Sequence, residues 1–263
     1  MHLVSNDLAN TSFILEGKQN APVLVIANSM AATPEMWDAQ IKSWAQDFQL
    51  LRYSYRGHGK TPALGEDLSV ADLANDLFSL LDQLNIHQFH YVGLSLGAML
   101  GLYVAAKYPQ RIKSLVAANF KSFQTEATCE IWEQRISLVR EKGVDAIADG
   151  TVDRWLTASF RQSHPEVDDQ IRAMVRSTST EGYIACCKAV RDYDARLFMA
   201  QIECPVLLIS GLEDVAAPAA EFAEIQAAIK NSVYLPLNAA HLSNVECPDQ
   251  FSSAVLGFIK KNS

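Results

Sequence analysis

The chain has 263 residues, a formal net charge of −8 and 49% hydrophobic residues, enough apolar material for one large α/β core. No segment is apolar over the roughly 18 residues that a membrane helix needs, and no basic stripe offers a footprint for nucleic acid. The five cysteines, of which only Cys186 and Cys187 are adjacent, lack metal-ligand spacing and read as reduced thiols of a cytosolic protein.

Residues 1–7 carry neither a basic nor a long apolar region, so no secretory signal is read and a cytoplasmic protein is expected. Residues 11–17 suit the end of an opening hairpin, and 22–27 form an apolar run that suits a buried strand. An amphipathic helix is predicted over 35–48, with Met36, Trp37, Ile41 and Trp44 on or near one face. The next strand, 49–55, leads into Arg56-Gly57-His58-Gly59, a turn-like segment. Ser69 with Asp72 three residues on resembles a capping box, and Leu73, Leu77, Leu80, Leu81 and Leu84 carry the helix that follows. His90-Tyr91-Val92 reads as a short buried strand. Gly93-Leu94-Ser95-Leu96-Gly97 comes next, and a helical pattern then runs up to Pro109.

After the strand 114–118 the alternation of strand and helix stops. Residues 121–196 contain no strand pattern, and helices are predicted around 131–142, 144–160, 167–178 and 182–192. About 75 residues is far more than a crossover between two strands requires, which implies a helical cap over the core. The alternation returns with the strand 205–210 and the acidic loop Gly211-Leu212-Glu213-Asp214, then with the strand 233–237 and His241. The expected division is a core of 1–120 and 197–263 with a cap of 121–196.

A G-x-S-x-G turn between a strand and a helix resembles the nucleophile elbow of α/β-hydrolases, which implies a mostly parallel, doubly wound sheet. The turn holds a serine Oγ at a helix N-terminus, where N–H groups stabilise negative charge. Serine is a weak nucleophile and needs a base with an orienting acid, in the chain order Ser, acid, His. Ser95, Asp214 and His241 meet that order, the last two in loops at the carboxyl ends of strands. Glu213 is the rival acid, while the strand 114–118 ends at Asn119 and supplies none. His58 suits a role in shaping the site, and His164 a place on the surface. The backbone N–H of Leu96 and, from the loop Asn28-Ser29-Met30, that of Met30 are the expected oxyanion donors.

Asn28-Ser29 stands where most such chains carry His-Gly. With Met36-Trp37-Asp38, Arg56-Gly57-His58-Gly59, Ile131-Trp132-Glu133, Arg154-Trp155, Ala185-Cys186-Cys187 and Ala240-His241-Leu242-Ser243-Asn244-Val245-Glu246, it makes the chain resemble the 3-oxoadipate enol-lactonases along nearly its whole length. The resemblance implies ring opening of a five-membered enol-lactone through an acyl-enzyme, with no metal and no organic cofactor. It also implies a small anionic substrate rather than a nucleic-acid or membrane partner. Arg135, Arg154 and Arg191 are the candidate counter-ions of its carboxylate, with Trp132, Trp155 and Tyr183 as walls. A carboxylesterase, a carbon–carbon bond hydrolase or a perhydrolase could use the same triad, and a binding protein could keep the fold.

Overall fold

A computed structural model describes residues 4–8 and 10–263, with side chains from residue 10 onward. Its sheet has eight strands in the order β1-β2-β4-β3-β5-β6-β7-β8. β1 (Val4–Leu8) and β2 (Thr11–Gly17) form the antiparallel hairpin expected at the start, and β2 continues antiparallel onto β4 (Gln49–Tyr53). β3 (Val23–Ala27), β4, β5 (Phe89–Leu94), β6 (Ile112–Ala118), β7 (Val206–Gly211) and β8 (Ser232–Leu237) are parallel. Every residue of β5 and β7 is buried, the outcome expected of strands covered by helices on both faces.

The predicted helix 35–48 is shorter than expected. Pro34–Trp37 forms a 3-10 turn, and α1 runs only from Asp38–Trp44. Met36, Trp37, Ile41 and Trp44 are all buried, and the rings of Trp37 and Trp44 lie 5.9 Å apart. α2 (Val70–Gln83) begins at the Ser69–Asp72 capping box. α3 (Leu96–Lys107) is buried almost all round and packs against β5 and β6.

Five helices lie between β6 and β7: α4 (Glu126–Lys142), α5 (Asp145–Trp155), α6 (Ala158–Ser163), α7 (Pro165–Arg176) and α8 (Thr180–Arg191). α4 starts at Glu126 rather than 131, because Thr125 and Thr128 make a capping box whose second member is a threonine. The predicted helix 144–160 is in fact two. Leu156 leaves the helical region at ψ 140°, and the Thr157 hydroxyl caps the next helix by accepting from the Phe160 N–H.

This insertion docks on the core at a glycine pair. A Cβ on Gly57 would lie 2.3 Å from the Gly182 Cα, and the Ser179 N–H donates to the Gly57 carbonyl at 3.0 Å. Gly57 also has φ +74°, so a side chain there is excluded twice over. α9 (Phe222–Ala228), α10 (Ser243–Glu246) and α11 (Pro248–Lys261) complete the chain.

Candidate active site

Ser95 occupies the turn between β5 and α3 with φ +57° and ψ −115°, a backbone conformation that a non-glycine residue adopts only under strain. Close packing around the turn holds it there. A Cβ on Gly93 would fall 2.4 Å from the Gly97 backbone, and one on Gly97 would fall 2.4 Å from the Ala27 carbonyl oxygen. The two glycines let the elbow sit between the ends of β3 and β5.

Asp214 follows β7 and His241 follows β8, at the same edge of the sheet. Asp214 Oδ2 lies 2.8 Å from His241 Nδ1, while Glu213 is exposed. Asp214 Oδ1 accepts from the N–H groups of Ala216 at 2.8 Å and Ala217 at 3.0 Å. Burial works against the Asp214 charge. His241, the Asn119 amide and the Ala217 N–H outweigh it and hold the carboxyl below its ordinary value.

Asn119 is thus joined directly to the Asp214–His241 pair. Its amide donates to Asp214 Oδ2 at 3.0 Å, and its carbonyl oxygen accepts from the Ser243 hydroxyl at 2.5 Å. It has φ +49°, in the left-handed region that asparagine tolerates. Its place at the carboxyl end of β6 was the available signal, but a search for a carboxylate passes over it.

Ser95 and His241 both line one cavity of about 580 Å³ beneath the insertion. Met30 lines it too, and among the described residues the N–H groups of Met30 and Leu96 donate to no protein acceptor. Both N–H groups are therefore open to an acceptor from outside the chain.

The loop carrying Met30 is held by His58. The Ala31 N–H donates to His58 Nε2 at 2.9 Å, which requires the proton on Nδ1, facing the Arg56 carbonyl at 3.0 Å. Burial lowers the His58 pKa to about 4 against the opposing pull of that carbonyl. The unfolded histidine, with pKa near 6.5, therefore binds a proton first as pH falls. This contribution to stability is complete above pH ~6.5 and is lost on the way down to pH ~4, by up to about 3 kcal/mol. Buried His90 is lowered to about 4 as well, by burial and then by Lys113, and adds to the same slope. Calorimetry across pH should give a flat Tm above pH ~7 and a steep fall below ~6.5. His58→Gln should lower Tm at pH ~8 but make that fall shallower; an unaltered slope would assign the acid lability to other groups.

The insertion contributes Arg135, Arg154, Trp132 and Trp155 to the cavity wall. Arg135 is held by neutral groups: its Nη2 donates to the Tyr183 hydroxyl at 2.5 Å and to Thr151 Oγ1 at 2.8 Å. Its guanidinium also lies 5.7 Å from the Trp132 ring centroid. Among the described residues, neither Arg135 nor Arg154 has a carboxylate within ion-pair distance, and no Asp or Glu lines the cavity. Burial, and next the neighbouring Arg135 charge, pull the Arg154 pKa down. Lys121 also lines the cavity, but Glu221 neutralises it at 2.7 Å.

Two expectations about the wall need correcting. Arg191 is paired with Glu133 and Asp192 and is not among the lining residues, because acidic neighbours on either side hold it at the surface. Tyr183 is fully buried one layer behind the wall, where it holds Arg135 in place instead of contacting the cavity. The pattern of residues did not single out Thr151, Gln124 or Met99, which also line the cavity.

A family model described as the alpha/beta hydrolase fold matches residues 22–248. The chain is 32% identical to 3-oxoadipate enol-lactonase 2 of Acinetobacter baylyi, over 98% of this chain and 96% of that one. The crystal structure of an enol-lactonase from Burkholderia xenovorans superposes with a TM-score of 0.93 at 32% identity, covering 98% of this chain and 100% of that one. A hydrolase from Pseudomonas aeruginosa superposes with a TM-score of 0.92 at 34% identity, covering 98% of each. By these matches and by its strand–serine–helix elbow, the chain belongs to the α/β-hydrolase family, among the relatives of the 3-oxoadipate enol-lactonases.

Proposed function

We propose that the protein is a serine hydrolase that opens 3-oxoadipate enol-lactone to 3-oxoadipate, with the insertion acting as its cap. The observation that carries this reading is the charge of the cavity. In a chain of net charge −8, the space above Ser95 is lined, among the described residues, by two arginines without carboxylate partners and by no acidic residue. Such a space favours an anion, and the lactone carries one carboxylate besides its reacting carbonyl.

In this mechanism His241 takes the Ser95 proton as Oγ attacks the lactone carbonyl. Asp214 keeps the His241 proton on Nδ1 and stabilises the imidazolium that forms. The Leu96 and Met30 N–H groups bind the tetrahedral oxyanion, each worth about 3–4 kcal/mol by analogy with other hydrolases. Collapse of the intermediate breaks the acyl–oxygen bond as the His241 imidazolium returns its proton to the leaving oxygen, and releases an enol still tethered through the acyl chain. Its tautomerisation to the ketone disfavours ring closure. His241 then deprotonates water, and hydrolysis of the acyl-enzyme gives the dicarboxylate.

The direct test is ultraviolet monitoring of enol-lactone loss with purified protein. Saturable turnover well above the spontaneous rate is expected. Turnover of p-nitrophenyl esters with none of the lactone would favour a carboxylesterase instead. That second reading draws on the apolar part of the wall, where Leu138, Val190 and Val215 leave room for a bulkier group than a six-carbon lactone.

A further inference from the structure

His241 lies between two residues whose backbones are both fastened to the insertion. On one side, the Leu242 N–H donates to the Trp155 carbonyl at 3.0 Å. On the other, the Ala240 N–H donates to Glu246 Oε2 at 2.5 Å. The other oxygen of that carboxylate, Oε1, accepts from the Thr157 N–H at 2.6 Å and from the Thr157 hydroxyl at 2.8 Å. The Trp155 ring is stacked on the His241 imidazole, with centroids 6.0 Å apart and planes 27° from parallel. The joint between α5 and α6 thus grips the histidine loop from above, and among the described residues Glu246 is the side chain that ties the two segments together on the Ala240 side.

We infer that Glu246 is a positioning residue for His241, setting the imidazole between Asp214 and Ser95 by locking the histidine loop to the insertion. The inference rests on Ser95, Asp214 and His241 acting as the triad. Asp214 fixes only one point of the ring, at Nδ1. The height and tilt of the imidazole over Ser95 then depend on its backbone. That backbone follows β8 in a short loop, and Ala240 is held there by the Glu246 carboxylate. A carboxylate suits the task because it offers acceptors on both oxygens. Glutamine at the same place turns an NH₂ group toward either Ala240 or Thr157 and releases one of the two ends. Glu246 is only half-buried and borders a polar cleft with Ser159 and Asn238, so the change leaves no buried hole.

The test combines kinetics with the downfield proton resonance of the hydrogen bond between His241 Nδ1 and Asp214. For Glu246→Gln, kcat on p-nitrophenyl acetate and on the enol-lactone should fall about tenfold while KM stays within about twofold. The resonance should broaden or vanish, and Tm should drop by only a few degrees. Thr157→Val should act in the same direction but less, and the double variant should be no worse than Glu246→Gln alone, since both cut one fastening. Thr157→Ser keeps the hydroxyl and should restore activity. A kcat within twofold of wild type, or a lost kcat with the resonance intact, would overturn the inference. If Glu246→Gln does not fold, an unchanged resonance and kcat in Thr157→Val would overturn it equally. The ester and the resonance report on the dyad without the lactone, so a wild-type protein inactive on the lactone alone overturns only the substrate reading.

Discussion

Ser95→Ala and His241→Ala are each expected to lower kcat by about 10⁴-fold or more, with the double variant little worse than either. The expectation follows from the division of labour proposed for the site. Without His241 the Ser95 hydroxyl keeps its proton and is a poor nucleophile; without Ser95 the base has nothing to activate. Each loss removes the same step, so the second adds almost nothing. The residual rate should reflect the Leu96 and Met30 amides and substrate binding, which neither substitution touches. Asp214→Asn should cost as much as these or less. The Asn119 amide already donates to Asp214 Oδ2, so a second amide in place of the carboxylate would set donor against donor and turn the His241 tautomer. Initial rates on the enol-lactone and on p-nitrophenyl acetate measure these four variants and Glu213→Gln. Full additivity of the serine and histidine losses, or a larger effect of Glu213→Gln than of Asp214→Asn, would count against this triad.

What the sequence made legible was set by local physics. β3 and β7 announce themselves because strands buried on both faces read as near-continuous apolar runs. The elbow announces itself because only glycine tolerates the close approaches around Ser95. His58 could be placed as a shaping residue because it stands in a glycine turn rather than after a strand. The less legible features depend on contacts distant in sequence. Nothing near Asn119 says that its amide will meet Asp214, which lies 95 positions on. Nothing near Glu246 announces Thr157, which precedes it by 89 positions. The break at Leu156 was hidden because Val152, Trp155 and Phe160 continue an apolar pattern through it, while Thr157 offers a cap that competes with helix continuation. Arg191 and Arg154 each stand beside an aspartate, and a pairing of Arg191 with Asp192 or Asp194 is one that the sequence itself offers. The fold shows that Asp192 does reach Arg191, while Asp153 turns instead to Arg161 and Arg172.

That difference sets the second large effect. Arg154→Ala is expected to lower kcat/KM for the anionic lactone by on the order of 10- to 100-fold, corresponding to roughly 1.5–3 kcal/mol for a hydrogen bond to a charged group. The same change should leave a neutral ester nearly untouched. Arg154 is the cleaner probe of the two arginines, because it makes no hydrogen bond within the described structure whose loss would disturb the fold. Arg135→Ala should show the same bias toward the charged substrate. It should also lower Tm, since the guanidinium ties Tyr183 and Thr151 across α4, α5 and α8. Lysine at position 154 should restore only part of the loss, because a point charge cannot reproduce the two parallel bonds of a guanidinium on a carboxylate. Arg191→Ala serves as the control: its charge is already neutralised by Glu133 and Asp192 outside the cavity, and the ratio of kcat/KM for charged and neutral substrates should not move. Arg56 is no substitute anchor, since both its bonds to Asp76, at 2.6 and 2.7 Å, occupy the fork. If that ratio stayed at its wild-type value in both Arg135 and Arg154 variants, the cavity would not be reading a carboxylate, and the case for an anionic lactone over a neutral ester would fall with it.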